Sequence, residues 1–132
     1  MAFRYRVSLQ VRHPNADAER IITGIGRIAR RCWTAGEART TPDGRPLTGN
    51  YRESYCVFDL VDSEDGQLAA CLRRTLAELE HVAEFIGDLR RTGGTVGYYV
   101  SWFPGDHGEV FDTDLIADMA RLGISLGIEP VC

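Results

Sequence analysis

The side chains of this 132-residue sequence best suited to metal ligation or nucleophilic attack are His13, His81 and His107 and the cysteines Cys32, Cys56, Cys71 and Cys132. Their spacing argues against both chemistries. His81 stands beside Glu80 and three residues before Glu84, which puts two donors on one helix face. Zinc takes three or more protein ligands, so a solvated helix face accounts for the group better. Asp106 and His107, followed by Asp112 and Asp114, form an acidic turn without the ligand spacing of a calcium loop. No two cysteines make a CxxC pair. Cys56 and Cys71 lie in apolar patterns and read as small core residues, whereas the terminal Cys132 is expected to be exposed. No disulfide framework is expected.

Motifs for nucleophiles and cofactors fare no better. The sequence holds no GxSxG elbow. Gly24-Ile25-Gly26 lacks the third glycine and the strand–helix setting of a dinucleotide fingerprint. Thr92-Gly93-Gly94-Thr95 follows a helical pattern instead of opening one, so it reads as a helix stop and not as a phosphate cradle. No catalytic residue, metal ligand or cofactor is assigned.

One constellation remains. Arg30, Arg31, Trp33, Glu37, Arg39, Arg45, Tyr51 and Arg52 mix guanidinium groups with aromatic rings in and beside a single long loop. Rings offer rigid contact area and arginine offers bidentate hydrogen bonds, a combination suited to recognition. The plainer role for Trp33 and Tyr51 is to pin the loop to the core. Trp102, at the end of a strand, is a further candidate for the same pocket.

Charge is distributed unevenly around this loop. All cationic side chains are arginine: residues 1–52 hold ten against four acids, and residues 53–132 hold five against fifteen. Either the two halves pack with their charges facing each other, or the first half presents a basic face to an anionic partner. The net charge of −4 argues against bulk nucleic-acid binding.

The elements that must position these residues follow from periodicity. Phe3, Tyr5, Val7, Leu9 and Val11 alternate with Arg4, Arg6, Ser8, Gln10 and Arg12, the period of a half-buried strand with an open polar face. Asn15 or Asp17 caps a short helix through Ile21, Ile22 and Ile25. Arg30–Trp33 is a short extended segment, and 35–54 is a long loop with a turn at Thr41-Pro42-Asp43-Gly44. Tyr55–Val61 is apolar on both faces except at Asp59, which predicts a central strand covered on both sides. Residues 67–91 form a helix with a bend near 79–82, or two helices. Thr95–Phe103 is a strand, and Val110-Phe111 a short one. Thr113 caps a helix ended by Gly123, and 124–131 return as a strand. The order β-α-loop-β-α-β-α-β predicts one α+β domain over 1–132, with a mixed or antiparallel sheet and helices mainly on one face.

Several stretches carry a family resemblance: Val7-Ser8-Leu9-Gln10-Val11 before an Ile-rich helix, Cys32-Trp33-Thr34-Ala35-Gly36-Glu37, Gly44-Arg45-Pro46-Leu47, and Met119-Ala120-Arg121-Leu122-Gly123-Ile124. With a helix pair and a strand ending near Ser101-Trp102, they resemble the bacterial domain of unknown function 4279 over nearly the whole chain. Members often carry a proline after the first helix, where this chain has Arg27-Ile28-Ala29. The family has no assigned activity, so the resemblance implies a single domain and adds no catalytic residue.

Arginines alternate with the first apolar residues and no apolar run reaches membrane-spanning length, so a cytosolic location is expected. The functional expectation is a non-enzymatic binding module, of an immunity or regulatory kind, using the Trp33–Arg52 region and the Arg4/Arg6/Arg12 face. Its partner would be an acidic protein or a small anionic ligand. The alternative is a small enzyme built around His107, Asp106 and the 35–54 loop. A homodimer on an exposed sheet edge fits either.

Overall fold

The computed structural model describes residues 4–103, 105 and 108–131. Asp106, His107 and Cys132, and with them the enzyme centre considered above, lie outside the described residues. The chain runs β1 (Arg4–His13), α1 (Ala18–Ile25), β2 (Arg31–Trp33), β3 (Ala38–Thr40), β4 (Pro46–Asn50), β5 (Ser54–Ser63), α2 (Leu68–Leu79), α3 (Ala83–Arg91), β6 (Thr95–Phe103), α4 (Thr113–Leu122) and β7 (Ile124–Pro130). Five strands form one sheet in the order β2-β5-β1-β6-β7, and β3 and β4 form a separate hairpin. The pairings within the large sheet are antiparallel except β6–β7, which is parallel across the α4 crossover. The α+β class and the mixed sheet agree with the sequence pattern. No helix among the described residues is long and apolar enough to cross a membrane.

The helices lie on one side of the sheet. Val7, Leu9 and Val11 of β1 and Phe58 of β5 are buried there against Ile21, Leu72, Leu79, Ile86 and Leu115 from the four α-helices. Helix ends follow side-chain chemistry. The Asp17 carboxylate accepts from the Glu19 N–H at 2.9 Å, and Gly26 closes α1 at φ 76°, where a side chain would be strained. Gly24 is needed for space: a Cβ there would sit 2.2 Å from the Phe85 ring. A 3-10 turn, Glu80–Val82, separates α2 from α3 at the predicted bend.

Four expectations are corrected. The 35–54 loop contains the β3–β4 hairpin, whose strands lack apolar alternation because almost all their residues are exposed. Residues 110–111 form no strand. Thr113 is the first residue of α4, and its cap is Asp112, whose carboxylate accepts from Leu115 N–H at 2.9 Å. Finally, β5 is not covered on both sides throughout. Val57 is buried between its register partners Arg31 and Gln10, but Asp59 and Asp62 are exposed on the helix-free side.

A beta-bulge explains where those two aspartates point. Val7 pairs with Val61 and Ser8 with Asp59, so Leu60 is an extra residue on β5. In a regular strand, residues three apart point to opposite faces. The inserted residue restores Asp62 to the face of Asp59 and sets it opposite Arg6.

Candidate functional site

Two surfaces collect the residues singled out by sequence. The first is the root of the β3–β4 hairpin. The Trp33 ring stacks on Tyr51 with centroids 4.2 Å apart and planes within 8°, and it meets Tyr55 at 4.8 Å. Its indole N–H donates to the Glu53 carbonyl at 3.0 Å. Arg31 lies over the Trp33 ring at 4.9 Å and donates to the Thr40 carbonyl at 3.0 Å. The Tyr51 hydroxyl accepts from Thr40 N–H at 3.1 Å and donates to Thr40 O at 3.0 Å. The accepted N–H, with Arg31 nearby, holds the Tyr51 pKa below the ordinary phenol value. Glu37 accepts from Thr34 N–H at 2.7 Å and closes the preceding turn. Arg31, Trp33, Glu37 and Tyr51 therefore anchor the hairpin to the sheet.

Beyond that anchor the hairpin is exposed. Arg45 pairs with Asp43 within its own turn at 3.2 Å, and Arg39 donates to the Thr48 carbonyl at 3.1 Å. Arg31, Arg39 and Arg52 form no ion pair with any described carboxylate. Trp102 does not join this group. It sits opposite Tyr5 on the helix-covered face of β6 and packs against the core.

The second surface is the helix-free face of the sheet. Its arginines are matched to acids of the second half of the chain. Arg4 reaches Asp62 at 3.2 Å and Arg6 reaches it at 3.5 Å; Arg12 reaches Glu53 at 3.1 Å and Arg30 reaches Asp59 at 2.8 Å. With Arg27 on Glu78 at 2.6 Å, half of the ten arginines of residues 1–52 thus meet acids of the second half. These pairs remain about half exposed, so each adds little to stability. Arg4 and Arg6 also lie over the Phe103 ring, and Arg12 lies over Tyr55 at 4.6 Å. Between the pairs lies a cavity of about 570 Å³ lined by Arg6, Ser8, Gln10, Arg30, Asp59 and Asp62, with Tyr99 and Ser101 along one side.

Among the described residues, Cys56, Cys71 and His13 are buried. Burial pushes the Cys56 thiol up to about 12 and also raises Cys71, whereas Cys32 is exposed on β2. His13 is buried, with Nδ1 accepting from Asn15 and Ala16 N–H at 3.1 and 2.9 Å. That leaves Nε2 to donate to Thr92 Oγ1 at 2.7 Å, and burial, aided by Arg20, lowers the imidazole pKa. His13 is a structural clasp at the end of β1. Sequence reasoning missed this role and that of Glu109, whose carboxylate accepts from Ala69 N–H at 3.1 Å, serving the N-terminus of α2 across forty residues. Neither contact has a local sequence signal. His81 is exposed, and no cluster of three metal-ligating side chains occurs among the described residues.

No protein-family model, curated protein or solved structure matches the chain.

Proposed function

We propose that this chain is a non-enzymatic binding module that uses the β3–β4 hairpin to engage an anionic partner, an acidic protein surface or a small polycarboxylate. One observation carries the reading. The arginines of the sheet face have carboxylate partners, whereas Arg31, Arg39 and Arg52 have none among the described residues. Residues 31–52 hold four arginines against two acids, so the hairpin and its root are locally cationic on an acidic protein. Trp33, Tyr51 and Arg31 hold it in one orientation, which lowers the ordering cost of binding. The buried Cys56 and Cys71 and the committed His13 favour recognition over covalent catalysis. A regulatory or immunity-type role in the cytosol accords with such a module.

The test uses a polyglutamate peptide and citrate as probes, followed by tryptophan fluorescence, since Trp33 lies at the hairpin root. Binding is expected to weaken as salt rises and to disappear in Arg39→Glu/Arg45→Glu/Arg52→Glu, whose side chains are exposed enough to leave the fold intact. Equal affinity in the triple variant would overturn the proposal.

A further inference from the structure

The cavity on the helix-free face is a separate feature, because the hairpin residues Arg39, Arg45 and Arg52 do not line it. Its volume of about 570 Å³ falls in the range of small-ligand sites. Its walls carry both signs of charge: Arg6 and Asp62 on one side, Arg30 and Asp59 on the other. A purely anionic ligand would meet the two aspartates, and a purely cationic one the two arginines. A ligand bearing one charge of each sign can satisfy both walls.

The pairs differ in how tightly they are held. Asp62 takes two hydrogen bonds from Arg4, at 3.3 and 3.2 Å, while Arg6 stands farther off at 3.5 Å. Arg6 can turn to another carboxylate and leave Asp62 with its stronger partner. Asp59, in contrast, has one exposed partner among the described residues, Arg30, which can turn to solvent at little cost. Asp59 pairs with Ser8 in register, two residues along β1 from Arg6, so the backbone positions of the two residues are offset by about 7 Å along the strands and by one strand spacing across them. Two extended residues of peptide span about the same distance along a strand. Ser101, the register partner of Arg6 on β6, and Gln10, two residues beyond Ser8 on β1, line opposite ends of the cavity and have no hydrogen-bond partner among the described residues. The bulge at Leu60 is what places Asp62, and through it the Arg4–Asp62 pair, beside this site.

We propose that this cavity binds a zwitterion of dipeptide length, its carboxylate on Arg6 and its ammonium on Asp59. The proposal goes beyond the hairpin reading and stands or falls without it.

The experiment is a titration of the full ¹⁵N-labelled chain with glycylglycine, followed by amide chemical shifts. N-acetyl-glycylglycine lacks the ammonium, glycylglycinamide lacks the carboxylate, and glycine sets its charges too close together. Glycylglycine is expected to shift the amides of Ser8, Gln10, Asp59 and Ser101 with a Kd of about 1 mM, and each comparator to bind about tenfold more weakly. Asp59→Asn and Arg6→Gln should each weaken glycylglycine by about tenfold, their spectra otherwise reporting an intact fold. The hairpin triple variant should bind glycylglycine as the parent does, and Asp59→Asn should still bind polyglutamate, which separates the two proposals. Absence of localised shifts at about 50 mM glycylglycine, or equal shifts with both capped compounds, would overturn the assignment.

Discussion

The two faces of β1 are built from the same strand and do opposite work. On one, Tyr5, Val7, Leu9, Val11 and His13 are buried against helices. On the other, Arg4, Arg6, Ser8, Gln10 and Arg12 meet solvent, cross-strand acids and aromatic rings. The first face removes apolar area from water and cannot change without leaving a void. The second is held by half-exposed pairs that water can replace. Stability therefore resides on the helix side, and the open side is free to exchange its internal partners for those of a ligand.

Substitutions can break that contrast at either face. The largest effect should come from Phe58→Ala, because the ring is fully buried in the centre of the core: a loss of about 3–5 kcal/mol in urea unfolding is expected. Gly24→Ala comes next. Its new methyl group would overlap the Phe85 ring between α1 and α3, so a loss of about 1–3 kcal/mol is expected despite the better helix propensity of alanine. His13 gives a pH-dependent effect. Its folded pKa lies below the ordinary value of about 6.5, so on acidification the unfolded chain takes up the proton first. Stability should be full above about pH 6.5 and fall as pH drops below it, with urea midpoints at about pH 7.5 and 5.5 as the readout. His13→Gln should remove that slope. A His13→Gln protein with the parental pH dependence would show that another group is responsible.

Much of the helix-covered face was legible in the sequence, because burial writes itself as periodicity. Tyr5, Val7, Leu9 and Val11 alternate, and Leu72, Leu76 and Leu79 recur at helical spacing. The bend at Glu80–Val82 showed as a change of register in that stripe. The open face was legible only in outline. Its arginines were visible, but their partners are set by the β1–β5 register and by one inserted residue, Leu60, which no local pattern announces. An aspartate three residues after Asp59 should face the other way, and only the bulge brings Asp62 round. The β3–β4 hairpin was hidden for a related reason: exposed strands carry no apolar alternation, although the Asp43-Gly44 turn at its tip was plain. Trp102 was grouped with Trp33 because sequence gives residue type but not face; the β6 register places it on the core side.

The most direct measurement of this division is the urea midpoint of Arg6→Gln/Arg12→Gln/Arg30→Gln beside that of Leu9→Ala. The triple variant removes the partners of Asp59 and Glu53 and one partner of Asp62, whereas Leu9→Ala empties one buried site. The separation of faces predicts a smaller midpoint shift for the three open-face changes together than for the single core change, with slopes unchanged. A triple variant that loses as much stability as Leu9→Ala would contradict it, because the open face would then be part of what holds the fold together.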